Sequence, residues 1–289
     1  MELLQVLISG LSLGCVYGLI ALGFVLIYKA TEMVNFAQGD LMMLGAFIGY
    51  SLIETAGLPF FLGLGLTMAS MALIGVLLER VVLRPMIGEP PFAVLMITIG
   101  LGFVLRAVAG AIWGAEPKNI DAPWAGGVAR WGGTAIGYEN LMIMVSTAVL
   151  CLLLFLFFRR SRIGLAMQAG SQNQLAAFYV GIPVKKMFAL TWALSAAIAG
   201  LAGVLTAPIS LIDPMMGFLA IKAFAAAIVG GFGNLAGALL GGLLIGVVEQ
   251  LAGLYLPDAV SGVSAYAFLL LVLLLKPEGL FSTLQAKKV

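Results

Sequence analysis

The sequence predicts an all-α, polytopic integral membrane protein of about 8–9 transmembrane or re-entrant helices in two pseudo-repeated halves. Three observations lead there. Of the 289 residues, 62% are hydrophobic and 10% charged, whereas soluble domains carry roughly 25% charged residues. With a mean hydropathy of +1.14, the chain has more apolar surface than a water-soluble core can hide. Its apolar runs approach the ~20 residues of a bilayer crossing, and the strict alternation of a membrane barrel is absent. Finally, the 37 glycines suit backbones that touch in lipid, where small residues drive helix packing.

The N-terminal MELLQVLISG lacks a basic leader region, so we expect the start of an uncleaved span there. The first span covers residues 5–28 and ends at Lys29 and Glu32. The second, residues 33–53, opens with Asn35, Gln38, Gly39 and Asp40, unusually polar for a span. A third run covers 59–78. The connector ERVVLRPMIGEPP follows, and its Arg80 and Arg84 place it inside. The fourth run, 92–113, is interrupted by Arg106. Residues 114–139 are polar with mixed charges, and Trp113, Trp124, Trp131 and Tyr138 suit a membrane–water interface on the outer side.

The fifth span is 140–158 and the sixth runs from 187 to about 207, ended by Pro208 and Asp213-Pro214. Residues 217–255 are too many for one straight crossing, and Gly230-Gly231-Phe232-Gly233-Asn234 divides them. The last span, 261–275, leads into KPEGLF and a tail with Lys287 and Lys288. Basic connectors inside give an outer N-terminus, an inner C-terminus and an odd number of crossings. Residues 217–255 then cross twice with a short or broken first half; the alternative is a re-entrant half-helix and eight elements.

Residues 159–186, RRSRIGLAMQAGSQNQLAAFYVGIPVKK, form a basic loop with no Asp or Glu, expected on the cytoplasmic side. Leu165, Ala166, Ala169, Leu175, Ala176 and Phe178 can share faces of one or two short helices, closed by Gly181 and Pro183. Such a helix pair suits docking on a soluble partner; the plainer reading is a solvated loop that only sets topology.

Gly39–Ala46 and Gly231–Ala238 share the form G-x5-G-A, each after a polar or glycine-rich break. Paired breaks in two halves point to a transporter's central pathway. They nominate Asn35, Gln38 and Asp40 from one half, and Gly230, Gly231, Gly233 and Asn234 from the other. With glycine this abundant, tight packing alone also explains the echo. The ionisable residues in or beside spans are Lys29, Glu32, Asp40, Arg106, Lys222 and Glu249. Charges at membrane depth are costly and often functional. Arg106 and Glu249 look deepest and fit either an ion pair or a substrate-facing role. Asp40 is the stronger functional candidate, although an acid in a first helical turn also complements the dipole.

Enzyme signatures are missing. There is no histidine, no G-x4-G-K-[S/T], no H-E-x-x-H and no G-x-S-x-G. Cys15 and Cys151 lie in apolar runs and imply no disulfide framework. No catalytic, cofactor or metal residue is expected. A stand-alone secondary carrier or channel is the rival class, but the ion-coordinating and proton-relay residues that class uses are sparse here.

VNFAQGDLMMLGAF, residues 34–47, resembles permease subunits of branched-chain amino acid ABC transporters. So do Arg162-x-Gly164-Leu165-Ala166, Gln172-Asn173, Ala176-Ala177-x3-Gly181-Ile182, SAAIAGLAGVL, VGGFGNLAGALLGGLLIGVVE and KPEGLF, in the family's order along nearly the whole chain. The match is closer to the LivH-like type than to its partner permease type. The resemblance implies a single permease domain over 1–289 in the inner membrane, an importer subunit for branched-chain or other hydrophobic amino acids. Urea or short-chain amides are the alternative cargo. The implied partners are a second homologous permease, two cytoplasmic ATPases that hold ATP-Mg, an extracytoplasmic substrate-binding protein and membrane lipid; no nucleic acid is implied. The ATPase contact would be Gln172, Asn173, Gln174, Ala176, Ala177 and Gly181. Gln168 and Gln174-Leu175 depart from the basic and acidic residues common in the family there, so the resemblance implies the loop's helix packing but carries no ion pair with the ATPase at those points.

Overall fold

A computed structural model describes residues 2–131 and 134–281, so Lys287 and Lys288 lie outside the described residues. Among the described residues, six helices are long and apolar enough to cross a membrane. They are α1 (Glu2–Thr31), α3 (Phe60–Leu78, extended by a π turn Glu79–Leu83), α4 (Pro91–Trp113), α5 (Tyr138–Arg160), α8 (Val184–Thr206) and α10 (Leu235–Tyr255). Shorter apolar helices complete the membrane part: α2 (Gln38–Tyr50, with a π turn Ser51–Thr55), α9 (Leu219–Gly230, after a 3₁₀ turn Met216–Phe218) and α12 (Ser264–Leu275). Outside it lie α6 (Arg162–Gln172), α7 (Gln174–Tyr179) and α11 (Asp258–Ser261).

A helix that is apolar all round belongs in a core or in lipid, and the packing tells which. α1 and α8 are buried along 89% and 78% of their most apolar stretch, against 22% for α3 and α5. The first two are therefore the central posts. α3 and α5 turn Leu73, Leu77, Leu152 and Phe155 outward, as a lipid-facing surface requires.

Helix directions follow from what touches the basic loop. The end of α1 meets it, because Gln174 Nε2 donates to the Ala30 carbonyl at 3.2 Å. α8 starts on that basic face and runs away from it, opposite to α1. α10 lies antiparallel on α1 through glycines, and α3 lies antiparallel on α8. A Cβ on Gly14 would stand 2.6 Å from the Leu243 Cα, so only glycine permits this approach. The packing repeats itself: α1 on α10 matches α8 on α3, α9 on α1 matches α2 on α8, and α9 on α12 matches α2 on α4. Each matched pair runs in opposite directions through the membrane. The two halves, α1–α4 and α8–α12, are thus an inverted repeat.

This symmetry pairs α2 with α9. The G-x5-G-A echo had set the start of α2 beside the start of α10, and the structure corrects that register. Both copies serve tight packing instead, Gly45 against Gly200 and Gly237 against Gly230. Residues 217–255 do cross as two elements, with α9 as the short one. Its upstream chain, residues 207–215, completes that crossing from the outer side. Residues 32–37 do the same for α2 from the basic side. Nine passages result among the described residues, an odd number. The outer segment holds one departure from an all-α chain, a hairpin of β1 (Val128–Trp131) and β2 (Thr134–Gly137), with Ala129 opposite Ile136.

Candidate functional site

The two half-helices start at mid-depth and meet there. Ser195, the midpoint of α8, donates to Gln38 Oε1 at 3.0 Å. Gly102, the midpoint of α4, lies against the Asp40 carboxylate. The starts of α2 and α9 touch through Gly39 and Gly217: a Cβ on Gly39 would overlap the Gly217 carbonyl oxygen.

Such a start leaves irregular backbone inside the membrane, which is tolerated only where its polar groups find partners. Asn35 Oδ1 accepts from the Ala37 N–H at 3.1 Å. The Phe36 N–H donates to Thr98 Oγ1 at 3.3 Å, and Asn35 Nδ2 donates to Gln38 Oε1 at 3.3 Å. The span read from residue 33 therefore becomes helical only at Gln38, with Asn35 fixing the turn before it. Asn35 and Gln38 are fully enclosed. They join α1, α2 and α8, since Ser195 Oγ also lies 3.0 Å from the Gly23 carbonyl.

Asp40 has a different environment. Its side chain is 9% exposed and pairs with Arg106 of α4, Nη2 to Oδ1 at 2.9 Å. Nε of Arg106 reaches the same oxygen at 3.3 Å. The guanidinium also lies over the Phe218 ring at 4.4 Å, a cation–π contact. Beside this pair opens a cavity of about 250 Å³, walled by Phe24, Phe36, Phe103, Phe218 and Phe224. Those phenylalanines come from α1, the 32–37 break, α4, and α9 with its entry turn. Each sits in an apolar stretch that reads in sequence like any lipid-facing surface, so only Phe36, next to Asn35, carried a local signal.

The second predicted pathway stretch lies elsewhere. Gly230, Gly231, Gly233 and Asn234 form the turn between α9 and α10 on the basic side. Gly231 has φ +98°, which glycine adopts at little cost. Asn234 caps α10 by accepting from the Ala236 N–H at 3.1 Å, and its Nδ2 donates to the Phe281 carbonyl at 2.9 Å. KPEGLF thus folds back on this turn, with the Leu280 N–H on the Val229 carbonyl at 2.8 Å. Aromatic contacts link the two stretches: Phe224 packs tilted on Phe36 and edge-on to Phe232, and Phe232 packs edge-on to Tyr28.

A second charged node ties the posts together. Lys222 of α9 pairs with Glu249 of α10, and the Tyr17 hydroxyl of α1 donates to the other Glu249 oxygen at 2.8 Å. Both deep charges flagged in the sequence, Arg106 and Glu249, are therefore ion-paired. Among the described residues, no group of three His, Cys, Asp or Glu is placed to hold a metal.

On the basic face, α6 starts at Ser161, whose Oγ accepts from the Gly164 N–H at 2.8 Å. α7 starts at Asn173, whose Oδ1 accepts from the Ala176 N–H at 2.9 Å. It ends where the Gly181 N–H reaches the Phe178 carbonyl at 3.0 Å and the Ile182 N–H the Ala177 carbonyl at 2.9 Å. That is a Schellman stop, with Gly181 at φ +86°. Gln172, Asn173, Gln174, Ala176 and Gly181 are exposed, while Ala177 is buried beneath. Between Ala177 and Gly181, inside the stretch expected to dock, Phe178, Tyr179 and Val180 are exposed at 67%, 82% and 76%.

Comparison with known proteins agrees along the chain. The profile of the family described as "Branched-chain amino acid transport system / permease component" matches residues 6–275. The high-affinity branched-chain amino acid transport system permease protein BraD of Pseudomonas aeruginosa is 35% identical, across 99% of this chain and 98% of its own. LivH of Escherichia coli K12, with the corresponding description, is 31% identical across 99% and 97%. Among solved structures, PsaBC from Streptococcus pneumoniae in complex with Fab superposes with a TM-score of 0.51 at 18% identity, over 96% of this chain and 93% of that one. At that identity it speaks for the fold alone. The inverted repeat is thus the scaffold of a known kind of transport subunit, and the chain belongs to the family of branched-chain amino acid transport system permease components.

Proposed function

We propose that this multi-pass chain carries branched-chain or other hydrophobic amino acids inward across the bacterial inner membrane, as the permease subunit of an ABC importer. The match to the family over residues 6–275 carries the reading. Half-helices that meet start to start at mid-depth support it, since broken helices at a repeat interface are where transporters place their cargo. The chain supplies the path and no catalytic residue. A second homologous permease completes the path, two ATPases with ATP-Mg drive it, and an extracytoplasmic binding protein selects the cargo.

Residues Gln172, Asn173, Gln174, Ala176, Ala177 and Gly181 form the ATPase contact, with Phe178, Tyr179 and Val180 as its apolar centre. That triplet is too exposed to be packing within the chain, and exposed apolar groups rimmed by polar ones mark interfaces. The pathway residues are Asn35, Gln38, Asp40, Gly230, Gly231, Gly233 and Asn234. Asn35 and Gln38 hold the geometry of the α2 start, Asp40 faces the path, and the 230–234 turn gates the cytoplasmic side.

Affinity purification in mild detergent with mass spectrometry, followed by reconstitution, tests the whole. Recovery of a P-loop ATPase and a second permease, with ATP-driven leucine uptake, is the expected result. Recovery of this chain alone, with ATP-independent transport, overturns the reading in favour of a secondary carrier. Cysteine scanning of 33–40 and 230–234 with an aqueous thiol reagent tests the path, and no labelling in any nucleotide state removes both stretches from it.

A further inference from the structure

The Asp40–Arg106 pair is only half used by the protein. Both contacts from Arg106 go to Asp40 Oδ1. Among the described residues, no side chain or backbone group donates to Oδ2, and none accepts from the other three guanidinium N–H groups, of the five that arginine carries. Unused acceptors and donors at membrane depth are costly, yet Asp40 and Arg106 both line a cavity, with Oδ2 on the side of Gly102. The cavity's volume of about 250 Å³ is below the roughly 300–1,000 Å³ of sites for drug-sized ligands, so it suits a small solute. Apart from the ion pair its walls are aromatic and aliphatic, with Ile99 and Ile221 beside the phenylalanines. The mouth lies between α4 and α9, where Phe103 is 63% and Ile221 51% exposed.

We propose that this cavity is a transient binding site for an α-amino acid zwitterion, its ammonium on Asp40 Oδ2, its carboxylate on the free donors of Arg106, and its apolar side chain among the phenylalanines. The inference rests on the reading that the chain carries amino acids, and names where and how. The site offers one anion and one cation side by side at 2.9 Å, and an α-amino acid carries the complementary two on one carbon. A sugar or an amide has neither charge, and a simple amine or acid meets only one of them. The starts of α2 and α9 converge here through Gly39 and Gly217, and their positive dipole ends add to Arg106 in favouring a carboxylate. The protein's own pair substitutes for the ligand when the site is empty, so neither charge is left bare after release. Occupancy is then weak by construction, as a conducting path needs: favourable enough to enter and weak enough to leave.

The test uses the full chain in its assembled complex, in two formats. In detergent, tritiated L-leucine is displaced by unlabelled L-leucine, N-acetyl-L-leucine (no ammonium), leucinol (no carboxylate) and glycine (no side chain). L-leucine should displace, and each analogue should be weaker by roughly 10-fold or more, because a site built for a polar group rejects the analogue that lacks it. No displacement by L-leucine, or equal displacement by leucinol, overturns the proposal. In proteoliposomes with the binding protein and ATP, D40N/R106Q keeps both side-chain shapes and removes both charges. It should assemble and hydrolyse ATP but lose leucine uptake by roughly 10-fold or more. F103W narrows the mouth at an exposed position, so its folding is safe. It should raise the KM ratio of leucine to alanine, which a purely structural ion pair would leave unchanged. Wild-type uptake in both variants, with KM unchanged, overturns this site and leaves the importer reading standing. Absence of ATP-driven uptake in the wild type overturns the importer reading itself.

Discussion

The Lys222–Glu249 and Asp40–Arg106 ion pairs both sit within the membrane part of this chain, and their surroundings differ. Glu249 has a partner on each carboxylate oxygen, Lys222 and the Tyr17 hydroxyl, contributed by α9 and α1. Asp40 receives both of its contacts on one oxygen, and both it and Arg106 line a cavity. Both pairs meet the same cost of charge at depth. The first spends the attraction on tying three helices together. The second sits where two half-helices start, beside a cavity, and under the proposal above its unused atoms take the cargo. The lesson is that pairing alone does not classify a buried charge; the unused atoms do.

Removing one charge of either pair should give the largest effect on stability. An uncompensated buried charge costs about 3–5 kcal/mol, so R106Q and E249Q should both lower the thermal midpoint of the purified complex strongly. The neutral doubles separate the pairs. K222M/E249Q should regain most of the lost midpoint and also transport. D40N/R106Q should regain the midpoint without the transport. Recovery of uptake in both doubles would erase the functional difference between the two nodes.

Much of this was legible in the sequence, and the exceptions have physical causes. Hydropathy finds α1, α3, α4, α5, α8 and α10, because a lipid-exposed or central helix has no other composition open to it. The basic loop was readable to its stops, since Asn173, Gly181 and Pro183 are local signals. The span around α2 reads in sequence from residue 33 with a polar break before Gly39, and the structure starts the helix at Gln38, where Asn35 turns the chain. The β1–β2 hairpin has short strands in a glycine-rich outer segment and no strong periodicity. The cavity was invisible for a deeper reason. Asp40 and Arg106 are 66 residues apart, and five phenylalanines from separate elements converge only in three dimensions.

Next in size is the glycine seam beside the second pair. Gly246 packs on Gly14 one turn from Glu249, and a Cβ there would overlap the Gly14 nitrogen. G246V should therefore cost about 1–3 kcal/mol by overpacking. If the Glu249 node ties α1 to α10, G246V and E249Q should be non-additive in a double-mutant cycle. G246V and D40N share no partner and should add. Additivity in both cycles would mean that the tie is local to Lys222.

Gly181 lies far from both pairs in the fold and acts on another property. At φ +86° a valine is strained by roughly 1–2 kcal/mol, which should loosen the end of α7 and little else. G181V should keep leucine displacement while losing substrate-stimulated ATP hydrolysis. Normal ATP-driven uptake by G181V would remove α7 from the ATPase contact.

Tyr17 gives the smallest effect and the finest resolution of the comparison. Its hydroxyl donates to Glu249 at 2.8 Å, and side-chain hydrogen bonds between membrane helices average about 0.6 kcal/mol. Y17F should lower the thermal midpoint slightly and leave uptake unchanged, because Lys222 still holds the carboxylate. In the K222M/E249Q background the same substitution should be nearly silent, since the charge that strengthened the bond is gone. A large loss of uptake in Y17F alone would move the Glu249 node from scaffold to pathway, and the contrast between the two pairs would then lie in the order in which cargo meets them.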